Sequence, residues 1–366
     1  MLEQLLEKIN TKFIGTEKCT VPTYSPISHV SDLATNKYWN RILHLRHILK
    51  ISSEHFFCYE KNGINIDLFM LTPSVSSPMG PGSDSEAIPI KFGTLETFLV
   101  DSSQFGFEPI LMNDIDLAYC YLPSMRGEDP DKRHLNQFYH CEAEINGGFE
   151  EIINLVEEYI KYISLSMTQV PELINTISLS PKTSKNALSL INESESFKRI
   201  TFDDAVKLLE ENNFENYINY TEHGRDINSF GEIELSKIFS PDMPFWITHF
   251  DRDRVPFYQK PNPENTNTVL NADLIFPPLI EDSFGGEVIG CGERQNLASE
   301  IIESINKQGL NHSPYDWYTN LRNLENYSTT SGFGMGVERY LAWLLCLDDI
   351  KNTIPYPRLK NILTHP

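Results

Sequence analysis

The chain has 366 residues, 40% of them hydrophobic and 11% aromatic, which is enough apolar material for a sizeable core and too much for a disordered protein. It carries 51 acidic against 30 basic residues, a net charge of −21, and this balance disfavours a protein that works mainly by gripping a nucleic-acid backbone. No stretch approaches the roughly 20 apolar residues of a membrane helix, MLEQLLEKINTKF is too acidic for a secretory signal, and six cysteines without CxxC spacing point away from zinc and towards a reducing, cytoplasmic setting.

In chain order, residues 1–35 contain Pro22, Pro26 and several Ser and Thr, and read as a loose leader to one domain over 36–366. Tyr38, Ile42, Leu45 and Leu49 recur at three- and four-residue steps, with Phe56 extending the stripe, so a helix is expected up to Gly63. INIDLFML (64–71) reads as a strand halted by Thr72-Pro73, and 74–87 is loop by composition. Strand-like runs follow at 97–101, 117–123 and 138–145 (FYHCEAEI), the last roughly alternating. From Phe149 onward, Ile152, Val156, Tyr159 and Ile163 mark one face of an amphipathic helix. Residues 176–198 are polar and serine-rich, a surface excursion. Helices are expected at 203–212, 297–309 and 337–347, and strands at 244–250, 257–260 and 273–276. Strands and helices are interspersed without regular alternation, which predicts an α+β fold with an antiparallel β-sheet flanked by helices.

Three segments carry chemistry. In SMRGEDPDKRHLNQF (124–138), Arg126 and Glu128 follow one strand and Phe138 opens another. A guanidinium can hold a phosphate bidentately and a Phe can stack on a base, although a charged hairpin is by itself a common surface feature. In FGGEVIGCGER (284–294), Glu287 and Arg294 lie on a glycine-rich run that lets a ligand or another backbone approach closely. A buried Arg there needs an anion, from substrate or from protein. In SGFGMGVERYLAWLLCL (331–347), Gly332, Gly334 and Gly336 lead into a helix with Arg339 in its first turn. Neither a P-loop nor a dinucleotide fingerprint is present. Together the segments describe an ATP site with a carboxylate for Mg²⁺.

The same segments resemble the class II aminoacyl-tRNA synthetases. INIDLFMLTP is similar to motif 1, 124–145 to motif 2 and 332–339 to motif 3. RHLNQF, GEVIGCGERQ, FKRITFDDAVKLL and NHSPYDWYTNLR resemble the asparaginyl subgroup and the archaeal asparagine synthetase related to it, in family order over roughly 38–366. The resemblance implies that Arg126 holds the α-phosphate, that Phe138 and Arg339 sandwich adenine, that Glu128 accepts from the adenine amino group, and that His134 lies near the outer phosphates. Gly336 belongs to the same ATP-binding set. Glu287 and Asp273 would hold Mg²⁺, Gln104 would reach the amino-acid backbone groups, Arg294 would pair with a substrate carboxyl, and Glu142 would accept from an amide or ammonium. Motif 1 implies a homodimer. Cys141, His140 and His249 are candidates to line the pocket, and read as packing or hydrogen-bonding residues rather than catalytic ones.

The chain departs from that pattern in places. About 40 residues precede the first motif helix, too few for a five-stranded anticodon-binding barrel. Phe107 stands where aspartate-specific enzymes place a Lys, Gln137 replaces a Glu, Thr329-Thr330 replaces Pro-His, and the stretch from Asp273 to Glu287 is longer than in the family. The expected function is an ATP-dependent ligase that activates aspartate, asparagine or a close analogue as an acyl-adenylate and transfers it to ammonia or another small amine without tRNA. The alternatives are a shortened synthetase that charges tRNA or a tRNA-like partner, and an inactive paralogue acting as a binding subunit.

Overall fold

The computed structural model describes residues 2–76 and 85–365. At its centre is an eight-stranded sheet built from β1 (Ile64–Asn65), β2 (Leu117–Met125), β3 (Gln137–Asn146), β4 (Lys198–Thr201), β5 (Phe245–Thr248), β6 (Asn271–Phe276), β7 (Gly286–Glu293) and β8 (Thr330–Gly336). The strands lie side by side as β1-β2-β3-β8-β7-β6-β5-β4. Pairing is antiparallel from β2 across to β5, and the edge pairs β1–β2 and β5–β4 are parallel. This is the expected α+β architecture.

Helices α1 (Leu2–Thr11), α2 (His29–Thr35), α3 (Lys37–His55), α4 (Gln104–Leu111), α5 (Phe149–Thr168), α6 (Pro171–Ile177), α7 (Pro181–Glu193), α8 (Phe202–Glu211), α9 (Ser229–Phe239), α10 (Ala298–Lys307), α11 (Asp316–Asn320) and α12 (Val337–Leu344) surround the sheet. Side chains alternate across a strand. Cys141 and Ala143 of β3, Phe333 and Met335 of β8 and Ile289 of β7 therefore share one face, in a core with the apolar stripes of α3, α5 and α12. In α5 the buried stripe is Ile152, Val156, Tyr159 and Ile163, as the periodicity predicts, and Glu150 and Glu151 in the first turn complement the helix N-terminus. The opposite face of the sheet is left for the cleft.

Four expectations differ from what forms. Residues 1–35 contain helices α1 and α2 rather than a loose leader: Leu6, Ile9 and Phe13 are buried in the main core, and the Asn10 side chain accepts from the Glu172 N–H at the start of α6. A ten-residue helix is short enough for its apolar stripe to escape a periodicity scan. Residues 176–198 are not a surface excursion. Pro181 starts α7, whose Ser184, Ala187, Leu188 and Ile191 are buried, and the Ser184 hydroxyl donates to the Leu344 carbonyl at 2.6 Å. Ser178 and Ser184, two of the serines that suggest solvent, are buried and hydrogen-bonded. Leu188→Ala is accordingly expected to cost about 2–5 kcal/mol in denaturant unfolding, where a surface position would lose less than about 0.5 kcal/mol.

The strand expected over 64–71 pairs only at Ile64–Asn65 and, in a separate small sheet, at Leu71–Thr72. The segment 257–260 is a buried turn, not a strand. The α3 helix continues through a wider turn, Phe56–Glu60, and the chain reverses at Asn62 (φ 54°). Gly63 is needed for space, because a Cβ there would collide with Leu117. Most of the 74–87 loop lies outside the described residues.

Candidate active site

The cleft on the open face of the sheet has a volume of about 800 Å³, with a smaller pocket of about 100 Å³ at one end. Strand alternation puts Phe138, His140, Glu142 and Glu144 in a row on one side of β3. Antiparallel β8 runs beside it with Gly336 opposite His140, Gly334 opposite Glu142 and Gly332 opposite Glu144. The glycines are what let the neighbouring side chains lie across the strand. A Cβ on Gly332 would collide with Glu144, Gln104 and Arg294 together.

At the smaller pocket, the Arg126 guanidinium lies 5.4 Å from the centroid of the Phe138 ring. Its Nε is buried and unbonded among the described residues. Asn136 donates to the carbonyls of Arg126 (2.8 Å) and Glu128 (2.7 Å), which fixes the hairpin that carries both. Arg339, in the first turn of α12, donates to the Glu287 carboxylate at 2.8 Å and to the Glu287 carbonyl at 3.1 Å. Burial alone would raise the Glu287 carboxyl; Arg339 outweighs it and holds the group below its usual range. His134 Nδ1 stands 3.0 Å from Asp131 Oδ1 on the exposed rim. Arg126, Glu128, His134, Glu287 and Arg339 line both the pocket and the cleft, while Phe138 and Gly336 line the pocket.

Asp273 and Glu287 converge despite the longer stretch between them. The extra residues form the loop 277–285 at the tip of the β6–β7 hairpin, and the register still sets Asp273 opposite Gly290. Both carboxylates approach the space above Gly290. Burial, and then the charges of Glu287 and Glu232, push the Asp273 carboxyl well above its usual value. Two converging carboxylates that repel each other are a donor set suited to a hard cation such as Mg²⁺. Among the described residues, no group of three or more His, Cys, Asp or Glu side chains is arranged to hold a metal ion.

At the far end, Arg294 is 3% exposed and makes a two-pronged pair with Glu144, Nε to Oε1 at 2.9 Å and Nη2 to Oε2 at 2.8 Å. Its Nη2 also donates to the Gln104 side chain, whose own amide donates to the Phe333 carbonyl at 3.1 Å. Tyr258, in the buried turn, covers the guanidinium at 5.3 Å. Glu142 accepts from the Ser103 N–H at 2.8 Å and from the Ser102 hydroxyl at 2.5 Å. Gln104, Glu142, Arg294 and Asp273 all line the cleft. Phe107 is fully buried with Leu111, Ala118 and Cys120 behind it.

Every residue to which the sequence gives an ATP, substrate or metal role thus borders this site. Of the three further candidates for the pocket lining, His140 faces the cleft, whereas Cys141 is in the core and His249 is outside both cavities. Two residues carry no such expectation from the sequence. Glu144 is the buried counter-charge of Arg294, and the FYHCEAEI alternation carries the signal for it. Glu232 of α9 accepts from the Glu287 N–H at 3.0 Å and lies 3.9 Å from Arg133. Burial pushes its carboxyl up to about 7, against the pull of Arg133. No motif pointed to it.

The sequence matches the family of tRNA synthetases class II (D, K and N) over residues 29–360. The fold is similar to that of asparaginyl-tRNA synthetase from Pyrococcus horikoshii complexed with asparaginyl-adenylate (TM-score 0.78, 23% identity, 90% of this chain and 71% of that one). It is also similar to asparaginyl-tRNA synthetase from Entamoeba histolytica in complex with asparaginyl-adenylate (TM-score 0.76, 23% identity, 94% and 74%). A third similar structure is a putative aspartyl-tRNA synthetase from Leishmania major Friedlin (TM-score 0.76, 17% identity, 97% and 72%). No helix among the described residues is long and apolar enough to cross a membrane. The chain belongs to the class II tRNA synthetases of the D, K and N group, a family of ATP-dependent ligases.

Proposed function

We propose that the protein uses ATP to activate asparagine, aspartate or a close analogue as an acyl-adenylate, and transfers the acyl group to ammonia or another small amine without tRNA. The observation that supports the adenylation half of this reading is the polarity of the cleft. Arg126, Phe138 and Arg339 lie together at one end, where a nucleotide would sit, and Gln104, Glu142 and Arg294 line the cleft, where an amino acid would sit. In the reading, the substrate carboxylate attacks the α-phosphorus in line while Arg126 stabilises the charge that builds there. Phe138 and Arg339 hold adenine between them, Glu128 accepts from its amino group, and His134 faces the outer phosphates. Glu287 and Asp273 would hold Mg²⁺, which neutralises phosphate charge when bound.

The amino-acid end favours a neutral side chain. Arg294 is already neutralised by Glu144, Glu142 adds a negative charge, and Phe107 offers the pocket no cation. An amide satisfies such a pocket better than a free carboxylate. A homodimer through α3 and the segment after it is part of the same reading, supported by Leu43, Tyr59 and Ile64 standing exposed there. The six free cysteines fit a cytoplasmic setting.

The family match favours a second reading, in which the acceptor is tRNA. Product analysis separates the two. With Mg²⁺, ATP, labelled aspartate or asparagine and ammonium, the first reading expects a new amide and AMP in the absence of RNA. Acid-precipitable label on bulk tRNA without amide product would establish the second instead.

A further inference from the structure

His140 stands between the two ends of the cleft and borders both cavities. On β3 it has Phe138 two residues before it, towards the nucleotide end, and Glu142 two residues after it, towards the amino-acid end. Its ring meets the Phe138 ring edge-on, with centroids 4.8 Å apart. Its Nδ1 lies 3.2 Å from Glu142 Oε1 and 2.9 Å from the Ser124 hydroxyl. An ionised carboxylate only accepts hydrogen bonds, so it favours the tautomer with the proton on Nδ1. Nε2 then carries a lone pair, and among the described residues it has no hydrogen-bond partner. Glu142 is itself fixed by Ser102 and by the Ser103 N–H, so the imidazole is held by a group that cannot swing away. A base oriented by a third group and presented to a cleft is the arrangement general-base catalysis needs.

We infer that His140 is the general base of the transfer half-reaction, taking a proton through Nε2 from the acceptor amine as it attacks the acyl-adenylate. This rests on the adenylate-forming function proposed above. The amine nitrogen forms a C–N bond to the acyl carbon, and its proton passes to Nε2. The bond from that carbon to the bridging oxygen of the AMP phosphate breaks, and its electron pair leaves with AMP. Nε2 then returns the proton to solvent, and nothing is oxidised or reduced. Adenylate formation has no such requirement, because a carboxylate attacks the α-phosphorus without losing a proton. The two half-reactions should therefore separate on mutation.

The test uses the full chain with His140→Gln and His140→Asn. Adenylate formation is read as amino-acid-dependent ATP–pyrophosphate exchange without acceptor. Transfer is read in a single turnover from preformed adenylate to ammonium or hydroxylamine. The expected result is exchange within about threefold of the unaltered protein, which also reports that the variants fold, and transfer slowed by about 10²-fold or more. Added imidazole should restore part of the transfer in His140→Ala. Transfer unchanged in the variants, or exchange and transfer falling together, would overturn the inference while leaving the proposed function standing. No exchange in the unaltered protein would instead overturn that function, and the inference with it.

Discussion

Arg126→Ala is expected to lower amino-acid-dependent ATP–pyrophosphate exchange by about 10³-fold or more, the scale on which an arginine that stabilises phosphoryl charge acts. Its guanidinium sits beside the Phe138 ring at the mouth of the smaller pocket, with a buried Nε that nothing among the described residues satisfies. The protein scaffold therefore gains little from the charge, and the fold should survive its loss. Circular dichroism and the unfolding midpoint should stay near those of the unaltered protein. A comparable fall in stability would make Arg126 a structural residue and remove it from the nucleotide site. Arg126→Lys should recover little activity, since an ammonium cannot make the paired, planar contact.

Glu144→Ala should have the largest effect on stability, about 3–5 kcal/mol, because it leaves the Arg294 guanidinium buried without its counter-charge. The pair is more enclosed than Glu287–Arg339, where the carboxylate is 37% exposed, so Glu287→Ala should cost activity and much less stability. Denaturant unfolding of the two variants side by side checks the contrast. Glu144→Gln should fall between, since its amide oxygen can still accept one guanidinium hydrogen bond. If Glu144→Ala unfolds at nearly the same denaturant concentration as the unaltered protein, water or another anion must be reaching Arg294, and the pocket would then no longer favour a neutral substrate side chain.

Much of the site was legible because it is written on strands. The spacing of Phe138, Glu142 and Glu144 in FYHCEAEI already places them on one face, and the glycines at 332, 334 and 336 mark the adjacent strand over which they lie. What sequence could not show was pairing across distance. Arg294 needed an anion, and whether substrate or protein supplied it depended on Glu144, 150 positions away. Glu232 reaches the Glu287 N–H from a helix whose sequence carries no motif. Sequence makes His140 a candidate for the pocket lining without a catalytic role, because half of the histidine's meaning lies in which nitrogen is engaged, and that needs the Glu142 carboxylate in place. Residues 1–35 and 176–198 both owe their burial to tertiary packing. Polar composition suggested solvent for 176–198, yet Ser178 and Ser184 bond to each other inside, 2.8 Å apart. The short apolar stripe of α1 gains its burial from α3 and α6, which propensity cannot see.

ATP–pyrophosphate exchange tests the central claim most directly, because it reports adenylate formation whatever the acceptor. With Mg²⁺, ATP and labelled pyrophosphate, the expected result is exchange that requires asparagine, aspartate or a near analogue and proceeds without RNA. Absence of exchange with all of these, together with no ATP binding by calorimetry, would contradict the claim and leave a class II fold that has lost its chemistry.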